Sequence, residues 1–226
     1  MNRIGKLFVV ATPIGNPEDI TLRAIRTLRE CDAILCEDRS NGSRLLKKLE
    51  IEKKDFIILN EHNEVEQIES VLLLLAQGKD LALISDCGTP LFSDPGHDLV
   101  AAVSQAGFEV IPIPGVSALT TAISVTPLHM RKFYFAGFLP RKPIERLNEL
   151  KRLKRELANT PIILMDTPYR LAAVLKDVET VFGKNKAITL ACDLTTQKEQ
   201  ILTDSCAAIA KKIGATKAEF MLIIQN

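Results

Sequence analysis

The sequence lacks the patterns that mark several large classes of protein. None of its apolar runs approaches the ~20 residues that a membrane-spanning helix needs, and residues 1–6 carry no apolar signal-peptide core. We therefore expect a soluble, cytoplasmic protein. The five cysteines form no Cys-x-x-Cys pair, and their odd number argues against a complete disulfide framework. We expect them to be reduced and mostly structural.

The common nucleotide and metal motifs are missing as well. Residues 12–19, the first loop after an apolar run, hold only Gly15, whereas the dinucleotide fingerprint Gly-x-Gly-x-x-Gly needs two more glycines. No Gly-Lys-Ser/Thr follows a strand-like segment, which excludes a P-loop. His62, His97 and His129 are scattered and have no cysteine pair nearby. The sequence therefore supports neither a standard NAD site nor a metal site.

What the chain does contain is a repeated alternation of apolar runs and helically spaced segments. In the first half, we predict strands at residues 6–11, 33–36, 56–59, 81–84 and 110–113, and helices at 21–29, 42–49, 65–76 and 99–106. Asp94 is predicted to cap the last of these helices, with Pro95 at its first position. Such alternation indicates a parallel sheet with helices on both faces.

The alternation breaks at residues 112–117, where proline, glycine and serine are enriched. We place a domain boundary there, giving an N-terminal α/β domain at 1–116 and a C-terminal α/β domain at 117–226. In the second domain we predict helices at 118–124, 144–157, 170–181 and 206–213, and strands at 133–136, 162–165, 188–192, 199–203 and 219–224. Two of these strands follow each other without a helix between them, which favours a mixed, partly antiparallel sheet.

Four loops at predicted strand ends carry small or polar residues. They cover residues 13–16, 37–38, 86–90 and 114–118, the third lying in a longer loop at 85–96. Strand ends of a parallel sheet meet at one edge, which is where α/β proteins bind ligands, so the four together predict a ligand cleft. Each loop taken alone is more often an ordinary strand-to-helix connection than a ligand site.

Positive charge is concentrated in residues 131–155, which hold nine basic and two acidic side chains in a chain of net charge +1. This pattern is typical of a face that binds a polyanion such as RNA. The basic residues that we expect to contact RNA are Arg141, Lys142, Arg146 and Lys151. A solvated amphipathic helix explains the charges equally well, because five apolar residues at helical spacing form a stripe through the same segment.

Several motifs, in order along the chain, together resemble the small-subunit ribosomal RNA methyltransferases of the tetrapyrrole methylase superfamily. They are residues 9–16 (Val-Val-Ala-Thr-Pro-Ile-Gly-Asn), 19–24, 37–38 (Glu-Asp), 60–64 (Asn-Glu-His-Asn-Glu), 85–96, 112–119 and 137–142 (Gly-Phe-Leu-Pro-Arg-Lys). The resemblance implies two α/β domains with S-adenosylmethionine in a cleft between them, a homodimer, and methylation of a cytidine 2′-hydroxyl in small-subunit ribosomal RNA. It also explains the missing fingerprint, because this superfamily binds its cofactor with strand-end loops of its own kind.

By this resemblance, nine residues are expected to contact the cofactor: Pro13, Asp86, Gly88, Thr89, Gly115, Ser117, Ala118, Met165 and Leu194. The candidates for a catalytic base, or for orienting the ribose hydroxyl, are Glu37, Asp38, His62 and Glu64, and the sequence does not choose among them. Residues 37–40, 166–170 and 192–196 depart from the usual family motifs. Two alternatives therefore stay open, a methylase of the same fold acting on a small tetrapyrrole-like molecule and a non-catalytic protein that binds RNA or the ribosome.

Overall fold

The computed structural model describes residues 3–60, 62–92 and 94–226. Glu61 of the motif at 60–64 and Ser93 of the loop at 85–96 lie outside the described residues. The chain divides into two compact units, the first ending at Ser117 and the second spanning Ala118–Asn226. Each unit contains one sheet of five strands.

The first unit is built on a parallel sheet, as predicted. Its strands are β1 (Leu7–Val10), β2 (Ala33–Cys36), β3 (Asp55–Ile58), β4 (Leu81–Ile84) and β5 (Val110–Ile113), arranged in the order β3-β2-β4-β1-β5. Strands β2 and β4 are buried throughout. This burial explains why they appear in the sequence as continuous apolar runs without alternation.

Helices α1 (Leu22–Glu30), α2 (Arg39–Lys48), α3 (Glu64–Ala76) and α4 (His97–Gln105) connect these strands. Alternate residues of each central strand belong to different hydrophobic clusters, with Ile34 and Cys36 packing beside α1 and α2. Ala33 and Leu35 instead pack in the cluster that holds α3 and α4. The helices therefore cover both faces of the sheet, as the strand-helix alternation predicts.

All four helices in this unit begin at a residue other than the predicted one, α1 and α3 by a single position and α2 and α4 by more. Helix α2 begins three residues before Gly42, because Asp38 accepts hydrogen bonds from the backbone N–H groups of Ser40 and Asn41 and caps the helix. The prediction that Asp94 caps α4 is wrong. The N-cap is Gly96, whose φ of 125° suits glycine.

The second unit contains the mixed sheet that was predicted. Its strands are β6 (Tyr134–Gly137), β7 (Ile162–Asp166), β8 (Ala187–Cys192), β9 (Gln200–Ser205) and β10 (Phe220–Ile224), in the order β6-β7-β10-β8-β9. Strand β6 is parallel to β7, whereas β10 runs antiparallel to both β7 and β8. The carboxyl ends of β6, β7 and β8 therefore share one edge of the sheet.

Four helices belong to this unit: α5 (Ala118–Ser124), α6 (Pro143–Glu156), α7 (Leu171–Phe182) and α8 (Cys206–Ile213). Apolar residues of α6, α7 and α8 share one hydrophobic cluster with β7, β8 and β10. A short 3₁₀ turn, Pro168–Arg170, leads from β7 into α7. It places two side chains, Tyr169 and Arg170, at the strand-end edge.

None of the five cysteines forms a disulfide, and Cys87 is the exposed one. Burial raises the pKa of the other four thiols, those of Cys31, Cys36, Cys192 and Cys206, to about 11. These four side chains therefore stay protonated at neutral pH and act as small apolar core residues. None of the helices in the described residues combines the length and apolar character that a membrane crossing requires.

Candidate active site

The loops after β1 and β4 are joined by hydrogen bonds at the carboxyl edge of the first sheet. The backbone N–H of Thr12 donates to the carbonyl of Gly88 at 2.8 Å. The Thr12 hydroxyl donates to the carbonyl of Ser85 at 3.2 Å, and the Ser85 hydroxyl donates to Gly88 at 2.9 Å. Because Thr12 and Ser85 are both buried, these bonds are shielded from water and fix the two loops against each other.

The loop after β5 completes this arrangement. The Thr89 hydroxyl donates to the carbonyl of Val116 at 3.0 Å. A Cβ atom at Gly115 would lie 2.9 Å from the Ala11 Cβ, so a larger residue there would push the first and third loops apart. Gly88 has a φ of +86°, and a Cβ there would lie 3.2 Å from Cγ2 of Ile14. The close contacts thus explain why glycine occupies positions 88 and 115, which the sequence alone did not reveal.

Six of the predicted cofactor residues lie in these three joined loops: Pro13, Asp86, Gly88, Thr89, Gly115 and Ser117. Asp86 lies in the same β4 loop with its side chain exposed, and its Oδ2 accepts a 2.6 Å hydrogen bond from Nδ2 of Asn41 in α2. This bond orients the carboxylate at the sheet edge. The edge therefore presents a fixed carboxylate and a hydroxyl, groups suited to hydrogen bonding a polar ligand.

Glu37 and Asp94 form a pair of acidic side chains beside this edge. They line one depression together with Cys36, Ser85 and Pro95. Burial, followed by the nearby charges of Glu37 and Asp86, raises the pKa of Asp94 to about 6. Asp94 was not among the predicted site residues, because its Asp-Pro-Gly context indicated a helix cap. The proximity of strands β2 and β4, which the sequence does not show, brings it into the site.

Glu37 also borders a second, open depression of about 590 Å³, lined by Asp38, Arg39, Ile58, Asn60 and His62 as well. The ends of β2 and β3 therefore bring three of the four candidate catalytic residues, Glu37, Asp38 and His62, around one concave surface. Asp38 has its carboxylate committed to the cap of α2, as described above. Of these three, Glu37 is the one that borders both depressions.

The structure removes Glu64 from the catalytic candidates. Glu64 is only 9% exposed, and its Oε1 accepts a 3.0 Å hydrogen bond from the backbone N–H of Leu99 at the start of α4. A carboxylate there satisfies a helix N–H group that has no partner within the helix. Glu64 thus has a structural role, which its position four residues after Asn60 did not indicate.

The remaining predicted cofactor residues belong to the second unit. Ala118 is the first residue of α5, Met165 lies in β7, and Leu194 follows β8. Met165 and Leu194 are near the same sheet edge, because Phe220 of β10 pairs with both Asp166 and Cys192. Leu194 is flanked by Asp193 and Thr195 at φ values of 46° and 64°, conformations that non-glycine residues adopt rarely. For Ala118, Met165 and Leu194, a contact with the cofactor remains a prediction from the resemblance.

Among the residues expected to contact RNA, Arg146 is a correction. Its side chain is 6% exposed, and its Nε donates to Oδ2 of Asp177 in α7 at 2.6 Å. A second bond runs from Nη1 to the carbonyl of Arg141 at 3.2 Å. The guanidinium is therefore committed within the unit, so Arg146 is neither a contact for RNA nor a solvated charge of an amphipathic helix. Arg141, Lys142 and Lys151 are exposed.

The described residues contain no group of three or more His, Cys, Asp and Glu side chains able to hold a metal ion.

Two solved structures share this two-unit α/β fold. Cobalt precorrin-4 methyltransferase, a cobalamin biosynthetic enzyme, is similar with a TM-score of 0.70 and 17% identity, over 97% of this chain and 94% of that one. A uroporphyrin-III-C-methyltransferase from Thermus thermophilus is similar with a TM-score of 0.66 and 20% identity, over 97% of this chain and 94% of that one. At such identities the likeness shows the fold.

Sequence comparison gives the family. Residues 6–210 match the family model of the tetrapyrrole (corrin/porphyrin) methylases, and the chain belongs to this family. A ribosomal RNA small subunit methyltransferase I from Pasteurella multocida is 39% identical over 229 residues, covering 100% of this chain and 80% of the relative. Another relative of that name, from Thermotoga maritima, is 44% identical over 192 residues, covering 85% of this chain and 84% of the relative. The resemblance stated from the sequence motifs is confirmed.

Proposed function

We propose that this protein is a methyltransferase that uses S-adenosylmethionine to methylate small-subunit ribosomal RNA, at the 2′-hydroxyl of a cytidine. The observation that carries the substrate class is the similarity to relatives of that name, which extends over the whole chain at 39% identity. The joined loops of the first sheet support the use of a cofactor, since they keep a carboxylate and a hydroxyl exposed at a fixed edge.

The residues of this edge fit the proposed methyl donor. Asp86 offers a carboxylate to the ribose hydroxyls or ammonium group of a nucleoside-amino acid conjugate. Thr89 donates its proton to Val116 and so presents its oxygen lone pairs as acceptors. Gly88 and Gly115 keep the loop backbones close together. When bound, the donor supplies an electrophilic methyl group on a positively charged sulfur.

The chain's own catalytic contribution is the alignment of a hydroxyl group and the acceptance of its proton. Alignment of two bound reactants can account for most of the barrier lowering in such a displacement. We assign proton acceptance to the Glu37 carboxylate, because it borders both depressions at the carboxyl ends of β2, β3 and β4. Burial and the nearby Glu37 raise the pKa of Asp94, beside it, to about 6, so the charge of the pair changes in the mildly acidic range.

RNA binding is assigned to the exposed cations of the second unit, Arg141, Lys142 and Lys151. The 2′-hydroxyl is the group that distinguishes RNA from DNA, so a ribose methyltransferase needs contacts that present a single sugar. The family resemblance also implies a homodimer, which sedimentation velocity of the purified protein tests.

The proposal is tested by donor binding and by choice of substrate. We expect isothermal titration calorimetry to detect S-adenosylmethionine binding that weakens at least tenfold in Asp86→Asn. The control is Asp98→Asn, which removes another exposed carboxylate from the same unit. With labelled donor, undermethylated small ribosomal subunits should accept methyl groups, whereas uroporphyrinogen III should not. Transfer to the tetrapyrrole alone would contradict the assignment of RNA as the substrate. Absence of donor binding would contradict the assignment of the protein as a methyltransferase.

A further inference from the structure

The loops after β6 and β7 form one fixed surface at the strand-end edge of the second unit. Nη2 of Arg170 donates hydrogen bonds to the carbonyls of Leu139 at 2.9 Å and Pro140 at 2.7 Å. Its Nη1 lies 3.3 Å from Oδ1 of Asp166, the last residue of β7. Because one partly buried guanidinium connects both loops, their backbones are held in a single arrangement before any ligand arrives.

This fixed surface exposes two aromatic rings. Tyr169, the residue before Arg170, is 78% exposed, and Phe138, the residue before Leu139, is 46% exposed. The ammonium of Lys217 lies over one face of the Tyr169 ring, 5.0 Å from its centroid. Neither ring contributes to the hydrophobic core of the unit. The backbone thus presents both rings at a site where packing does not require them.

Positive charge accompanies the rings. Arg141 and Lys142 follow Phe138 in the same loop, and Lys217 lies beside Tyr169. Acidic residues are fewer here, with Glu145 pairing with Lys142 at 3.0 Å and Glu219 following Lys217 by two residues. Aromatic rings between phosphate-binding cations are the combination that single-stranded nucleic acid binding uses, since any base can stack on a ring while its backbone is neutralised.

We propose that this surface, comprising Phe138, Arg141, Lys142, Tyr169 and Lys217, binds single-stranded RNA by stacking. Tyr169 and Phe138 stack on unpaired bases, and the three cations contact the phosphates on either side. The inference rests on the proposed function and deepens it, by assigning the class of RNA structure that the second unit binds. A protein partner is less favoured, because the centre of a protein interface is depleted of charged residues, whereas cations here flank both rings.

The test is binding of a fluorescein-labelled, 12-nucleotide, unstructured RNA of mixed sequence, measured by anisotropy without the methyl donor. We expect Tyr169→Ala to weaken binding about tenfold, the typical size for loss of one base-aromatic stack. Tyr169→Phe should bind within about twofold of the wild type, since it keeps the ring. Phe133→Ala serves as the matched control, because Phe133 is 42% exposed but lies at the other end of β6.

An abasic RNA of the same length separates stacking from charge. On this probe, Tyr169→Ala should bind as the wild type does. Lys217→Gln should weaken binding to both probes, and it should reduce the slope of the log binding constant against the log salt concentration by about 0.7 in magnitude. Equal binding of the base-containing RNA by Tyr169→Ala and wild type would overturn the inference. So would a change from dimer to monomer in Tyr169→Ala, which would assign the surface to a subunit contact.

The readouts also separate this inference from the proposed function. If the wild type methylates small subunits but Tyr169→Ala binds RNA normally, the stacking surface is wrong and the enzyme assignment stands. If RNA binding depends on Tyr169 but the wild type transfers no methyl group, the enzyme assignment is wrong and the stacking surface stands.

Discussion

Glu64 in α3 accepts a hydrogen bond from the backbone N–H of Leu99 in α4, at 3.0 Å. The relationship has a clear physical origin. The N-cap of α4 is Gly96, which has no side chain with which to bond the first N–H groups of the helix. Glu64 supplies that acceptor from a neighbouring helix, and its negative charge is favourable beside the positive end of the α4 dipole.

Loss of this remote cap should therefore affect stability before it affects chemistry. We expect Glu64→Ala to lower the free energy of unfolding by about 1–2 kcal/mol, as measured by urea denaturation. Glu64→Gln keeps an oxygen acceptor, so its free energy of unfolding should fall by about half as much. Glu66→Ala, an exposed change in the first turn of the same helix, should be close to neutral. Full stability of Glu64→Ala together with lost methyl transfer would return Glu64 to the catalytic candidates.

The buried pair of Arg146 and Asp177 makes a second prediction. Removing one partner leaves the other charge buried and unpaired, so Arg146→Ala should lower the free energy of unfolding by about 3–5 kcal/mol. Lys151→Ala, on the exposed side of the same helix, should stay within about 0.5 kcal/mol and weaken RNA binding. Chemical denaturation and RNA anisotropy measured on both variants check this. A stable Arg146→Ala with weakened RNA binding would restore the original assignment.

Asp94 should make stability depend on pH. Its pKa is raised from 3.8 to about 6, so the folded protein holds this proton more tightly than the unfolded chain. The unfolding free energy then decreases as pH rises from about 4 to 6, and Asp94 is destabilising above that range. We expect Asp94→Asn to be more stable by roughly 1 kcal/mol at pH 8, after allowance for solvent screening. The difference should vanish near pH 4.

Thermal or urea unfolding of the two proteins across pH 4–8 measures this difference. The partners that face Asp94 are Glu37 and Asp86, so Glu37→Gln should lower the pKa of Asp94 and shrink the difference. A constant offset at all pH values would show that Asp94→Asn acts through packing and would contradict the titration.

Gly88 offers a test of the joined loops. Alanine at this position would adopt a φ of +86° and bring its Cβ within 3.2 Å of the Ile14 side chain. Gly107 has a similar φ of +82° with nothing near its missing Cβ, so Gly107→Ala has the same backbone strain without the contact. Each variant should lose about 1 kcal/mol of stability. In calorimetry only Gly88→Ala should lose affinity for S-adenosylmethionine, and equal affinity losses would argue against the loop assignment.

The sequence predicts the sheets well because local pattern decides them. Strands β2, β4 and β5 have the predicted bounds, since their apolar runs end at turn residues. The first residues of the helices were harder to predict from the sequence. Asp38 caps α2 ahead of the apolar spacing, and the α4 cap depends on Glu64, 35 positions away in the sequence.

The candidate site was predictable only in part. Convergence of the strand-end loops follows from parallel topology, and with it the grouping of Asp86, Gly88 and Thr89. The roles of individual charged residues do not follow. The pairing of Arg146 with Asp177, the burial of Glu64 and the proximity of Asp94 to Glu37 are tertiary relationships, which neither spacing nor charge counting reveals.

The measurement that tests the central claim most directly is methyl transfer to ribosomal RNA followed by mapping of the product. Small subunits that lack ribose methylation are incubated with the purified protein and methyl-labelled S-adenosylmethionine, and the RNA is then hydrolysed with alkali. We predict label in one cytidine-containing dinucleotide, because a methylated 2′-oxygen cannot attack the adjacent phosphate. Label released in mononucleotides, or no incorporation into RNA, would contradict the account.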